Sequence, residues 1–97
     1  MSTLSDSAIR EQLNELPDWE REGDRIVREY SLEDFVEAVE FTNALVEPAE
    51  EEFHHPDLEV SWGSVTVNLT THDAGGLTEK DFDLARQFDD IYEEEFQ

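Results

Sequence analysis

The sequence has no cysteine, a single lysine and only six basic side chains in 97 residues, against 27 aspartates and glutamates. The missing thiols exclude a disulfide framework, a redox thiol and any cysteine-ligated zinc site. Six Lys and Arg side chains are too few to neutralise a run of phosphates, so no nucleic acid is expected as a partner. The formal net charge of −21 would also be repelled by an anionic membrane surface. No apolar run approaches the ~20 residues of a membrane-crossing helix, so no membrane association is expected. The opening MSTLSDSAIR has neither the basic nor the apolar stretch of a secretion signal, which leads us to expect a cytoplasmic protein.

What remains is one domain's worth of chain, residues 1–97, since domains cluster around roughly 100–150 residues. Ten large aromatics (six Phe, two Trp, two Tyr) give it the means to build a core. The acids are spread along the chain, with short clusters at Glu50-Glu51-Glu52 and Glu93-Glu94-Glu95, and do not form a tail. Such an acidic, lysine-poor surface resembles proteins of halophilic organisms, where molar salt screens charge to within about 3 Å. It implies folding in molar KCl and self-repulsion in dilute buffer.

Periodicity divides the chain into five pieces. Ile9, Leu13 and Leu16 have helical spacing between a serine cap and Pro17. Trp19–Glu22 and Arg25–Tyr30 flank Gly23-Asp24 as a β-hairpin. Ser31-Leu-Glu-Asp34 has the form of a capping box and opens a helix through Val46 that Pro48 should kink or end. That helix carries too many apolar residues for one stripe, so burial on more than one side, as at a subunit interface, is expected. Leu58, Val60 and Trp62, then Val65, Val67 and Leu69, alternate with polar residues about a Gly63-Ser64 turn, with His72 expected to end the second strand. Thr78-Glu-Lys-Asp81 caps a last helix bearing Phe82, Ala85, Phe88 and Tyr92. The expected fold is α+β, in the order α-ββ-α-ββ-α: a four-stranded antiparallel sheet with three helices packed on one face.

Chemistry can come from His54, His55 and His72, whose side chains titrate near neutrality. Pro56 holds His55 extended, so the pair sits on a bend. Two histidines before a proline also fit a surface turn, and three imidazoles also suit a metal, although the helical His-x-x-x-His spacing is absent. Trp19 and Trp62 offer faces for a flat heterocycle, although a strand tryptophan is more often half-buried core. Asp57 and Asp81 could orient a histidine or cap a turn and a helix. Spacing alone leaves these readings open.

Taken together, Glu50-x3-His54-His55-Pro56-x5-Trp62-x9-His72-x8-Asp81 resembles the signature of the pterin-4a-carbinolamine dehydratases. So do the stretch from Thr71 to Thr78 and the segment from Trp19 to Phe35, so that the resemblance spans about residues 5–92. It implies dehydration of 4a-hydroxytetrahydropterin (4a-hydroxytetrahydrobiopterin in tetrahydrobiopterin recycling) to quinonoid dihydropterin and water, with no metal and no cofactor. His54, His55 and His72 match the catalytic histidines, with His54 and His72 the main acid–base pair and His55 binding or assisting. Trp19 matches a residue lining the pterin, and Glu50, Asp57 and Asp81 match binding or supporting positions. The family also implies a homodimer or homotetramer. Alternatives are action on another pterin, as in molybdopterin metabolism, or a non-catalytic pterin-binding or interaction module.

Overall fold

Alternation decides which side of the sheet is covered. In β2 (Arg25–Ser31) Ile26 and Tyr30 are buried, and in β4 (Ser64–Leu69) Val65, Val67 and Leu69 are, while Glu29, Thr66 and Asn68 between them are not. Side chains in a strand alternate faces, so one face carries the core and the other meets water. The structure, a computed structural model, describes residues 2–97. Among these, β1 (Glu20–Glu22) and β3 (Asp57–Ser61) complete an antiparallel sheet in the order β1-β2-β4-β3. The helices α1 (Asp6–Asn14), α2 (Phe35–Glu51) and α3 (Glu79–Ile91) complete the expected α+β fold, α3 running on into a wider helical turn over Tyr92–Phe96.

One core joins these layers. Phe41 and Leu45 of α2 and Phe82, Leu84 and Phe88 of α3 meet the sheet's buried residues, with Ile9 of α1 at the margin. Tyr30 packs on Phe41 at 4.6 Å and on Tyr92 at 4.9 Å between ring centroids, distances at which tilted aromatic pairs attract.

A polar knot sits inside this aromatic cluster. Asp89 Oδ1 accepts hydrogen bonds from the Tyr30 hydroxyl (2.6 Å), Arg28 Nη1 (2.7 Å) and Trp19 Nε1 (3.0 Å), and the Arg28 guanidinium lies 4.2 Å from the Tyr30 ring centroid. Burial, then the hydrogen bond and charge of Asp89, push the Tyr30 phenol well above its ordinary range. The folded protein therefore keeps this proton at a pH where the unfolded chain loses it. Stability from Tyr30 is fully present below about pH 10 and drains away as pH rises beyond it. Urea midpoints between about pH 8 and about pH 11 should fall more steeply for wild type than for Tyr30→Phe; parallel curves would contradict this.

Three local expectations need correcting. Ser31 does not cap α2, because its backbone is claimed by the ladder opposite Ser64; Asp34 caps instead, accepting from Glu37 N at 2.9 Å. Pro48 does not end α2, which continues to Glu51. A proline removes its own N–H donor and crowds the carbonyl one turn back, yet the Pro48 carbonyl still accepts from Glu52 N at 3.1 Å. The second hairpin turns on Trp62-Gly63, since Ser61 and Ser64 already pair. Within this chain α2 buries a single stripe (Ala38, Phe41, Leu45, Pro48, Ala49) and leaves Val36, Val39 and Val46 exposed.

Candidate active site

The end of α2 aims the histidine pair. Phe53 takes a left-handed conformation (φ 50°), Phe53 N donates to the Glu50 carbonyl at 3.2 Å, and His54 N donates to the Ala49 carbonyl at 3.0 Å. These are the two bonds of a Schellman cap, normally built on glycine. A bulky residue there costs on the order of 1–3 kcal/mol, strain that the surroundings must hold. The turn reverses the chain so that His54 points inward, 8% exposed, while Phe53 is 85% exposed.

His54 meets a carboxylate 27 residues further along the chain. Its Nε2 lies 2.6 Å from Oδ1 of Asp81, which is fully buried at the first turn of α3. The second oxygen, Oδ2, accepts from Thr71 Oγ1 at 2.8 Å and from Thr78 N at 2.9 Å. An ionised carboxylate only accepts, so His54 Nε2 donates to it and Nδ1 is the nitrogen left for other chemistry. Asp81 thus caps α3 and fixes the imidazole in one move, and every bond it makes is charge-assisted.

The other histidines are more open. His55 Nε2 lies 2.5 Å from Glu50 Oε2, both side chains being largely exposed. His72 does not end a strand as expected: β4 stops at Leu69, and His72 begins a 3-10 turn that closes on Gly75. Gly75 has φ 77°, a conformation that favours glycine. The turn is clamped by Thr71 N donating to the Gly76 carbonyl at 3.1 Å. His54, His55 and His72 line one cleft of about 230 Å³, together with Thr71, Asp73 and Lys80. A second hollow of about 420 Å³ shares Thr70 and His72 with it. Among the described residues, no group of three or more His, Asp or Glu side chains is arranged to hold a metal ion.

Not every expected residue reaches the cleft. Trp19 is 4% exposed, with its indole N–H satisfied by Asp89 and its ring edge-on to Tyr30, so its face is committed to the core. Asp57 opens β3 opposite Asn68 and points to solvent. Trp62 lies at the far end of β3, roughly 16 Å along the strand at ~3.3 Å per residue. Residues without an assigned role in the sequence reading also line the cleft, Thr71, Asp73 and Lys80 among them. Thr71 carried no signal of its own, because its task is to bond Asp81, ten residues on.

Comparison with known proteins adds names to this geometry. A family model described as pterin 4 alpha carbinolamine dehydratase matches residues 2–91. A Picosynechococcus protein provisionally named a pterin-4-alpha-carbinolamine dehydratase is 54% identical over 88 residues, covering 91% of this chain and 96% of the relative. A crystal structure of a transcriptional coactivator/pterin dehydratase from Brucella melitensis superposes with a TM-score of 0.88 at 32% identity, covering 93% and 98% of the two chains. A pterin dehydratase-like protein identified as a RuBisCO assembly factor in the alpha-carboxysome shares the fold, with a TM-score of 0.61 at 18% identity over 75% of this chain and 84% of that one.

Proposed function

The chain belongs to the pterin 4 alpha carbinolamine dehydratase family, and from that premise we propose that it removes water from a 4a-hydroxytetrahydropterin by histidine acid–base catalysis, serving tetrahydrobiopterin recycling. The single observation that carries the mechanism is the convergence of three histidines on one cleft, one of them backed by a buried carboxylate. His54 Nδ1 takes the proton from ring N5, and the freed electron pair forms the C4a=N5 double bond. The C4a–O bond breaks as His72 delivers a proton to the departing hydroxyl, and water leaves. Each proton transfer contributes a factor of roughly 10²–10⁴. His55, steadied by Glu50, binds the ring or assists, and the hollow beside His72 gives room for the ring's substituent. Asp81 acts through His54 as a positioning residue, and Asp57 belongs to the surface near the site.

The reaction as written moves only protons and water, so the proposal includes no metal and no cofactor. The exposed Val36, Val39 and Val46 of α2 support assembly into a homodimer or homotetramer. The charge of −21 supports a halophilic setting, and no helix among the described residues is long and apolar enough to cross a membrane. The proposed site of action is the cytoplasm.

A stable dihydropterin, titrated in molar KCl and followed through the imidazole proton resonances, tests the site. All three histidines should shift with one shared saturation curve, and His72→Ala should weaken binding. A saturating shift that spares all three would overturn the assignment. Binding without turnover would favour a non-catalytic pterin-binding module.

A further inference from the structure

The only lysine of the chain stands at the histidine cleft, and among the described residues no carboxylate comes within ion-pairing distance of it. With 27 acids in 97 residues a cation is readily neutralised, and most of the others are. Arg28 is held by Asp89 at 2.7 Å, Arg21 by Asp6 at 2.9 Å, Arg86 by Asp83 at 3.3 Å and Arg25 by Glu22 at 3.6 Å. Lys80 forms no ion pair within 4.0 Å among the described residues, although Asp73 lines the same cleft and Glu79 and Asp81 flank it in sequence. Asp81 is unavailable because both its oxygens are engaged by His54, Thr71 and Thr78.

We propose that Lys80 is a substrate-positioning residue, its ammonium donating to a carbonyl oxygen on the bound ring. The inference rests on the dehydratase reading of the cleft. The ring carries a carbonyl beside the carbon that loses its hydroxyl, and a donor to that carbonyl would orient the carbon between the two histidines. The cleft hydroxyls are committed, Thr71 to Asp81 and Thr70 to the Asp24 carbonyl, and His54 and His72 move protons, which leaves His55 and Lys80 as side-chain donors. Lys80 is the one fixed positive charge among the cleft residues, and its backbone is held firmly. It is the second residue of α3, between buried Thr78 and Asp81, the residue that fixes His54, so Lys80 and His54 are positioned by one rigid unit. A carbonyl contact of this kind holds ground state and transition state alike, so it acts on binding and not on the proton transfers.

The experiment compares wild type, Lys80→Gln and Lys80→Arg in carbinolamine dehydration in molar KCl, with thermal midpoints as a folding control. Loss of a charged hydrogen bond should raise KM by about 10- to 100-fold in Lys80→Gln while kcat stays within about threefold. Lys80→Arg should recover most of the loss, because the charge and a donor are retained. An unchanged KM in Lys80→Gln, or a loss confined to kcat, would overturn the role. Should wild type itself give no turnover, the dehydratase reading fails separately, and the dissociation constant of a stable dihydropterin becomes the readout. Weakening by about the same 10- to 100-fold in Lys80→Gln would sustain the positioning role, and equal affinity would remove it.

Discussion

His54→Ala should lower kcat for carbinolamine dehydration by roughly 10²–10⁴-fold, the usual contribution of one positioned general base. Alanine also strips Asp81 of one of its three donors, so a loss of stability should accompany the loss of rate. Asp81→Asn separates the two effects. The Oδ2 position must go on accepting from Thr71 and Thr78, so it becomes the amide oxygen and the NH₂ group faces His54. His54 Nε2 would then have to accept, which puts the ring proton on Nδ1 and blocks the base. The variant should fold with α3 capped and lose rate on the scale of His54→Ala. A wild-type kcat in Asp81→Asn would mean that His54 does not work through Nδ1. Single-turnover rates with circular dichroism melts measure both quantities.

Asp89→Ala should destabilise the fold by about 3–5 kcal/mol, the usual cost of removing one partner of a buried ion pair. Asp89 Oδ1 serves three donors, and Arg28, with its side chain 11% exposed, would keep only Asp18 at 3.7 Å. For a domain whose total stability lies in the range of about 5–15 kcal/mol, that is a large fraction. Because Asp89 lies outside the cleft, the folded fraction should keep its kcat. Urea unfolding in molar KCl gives the first number and dehydration kinetics the second. A shift below about 1 kcal/mol would show that water or Asp18 replaces the carboxylate.

Local patterns made most of the fold legible. Alternation in Val65, Val67 and Leu69 located a one-sided strand, and helical spacing located α3. Errors arose where distant pairing outvoted a local motif. The serine of Ser31-Leu-Glu-Asp34 reads as a cap until Ser64 recruits it to the sheet, and the position of the second turn depends on the same register. At the site, the residue types were readable but the contacts were not. His54 and Asp81 are 27 positions apart and Trp19 and Asp89 are 70 apart, separations that no periodicity reports. Trp19 illustrates the cost: an indole is equally suited to stack on a ring or to fill a core, and only the position of Asp89 decides it.

The dehydration rate of freshly generated 4a-hydroxytetrahydropterin, followed by ultraviolet absorbance in molar KCl with and without the protein, is the most direct test of the proposed chemistry. Acceleration well above the spontaneous rate, abolished in His72→Ala while the fold persists, is the expected result. A folded wild-type protein that leaves the spontaneous rate unchanged would contradict it.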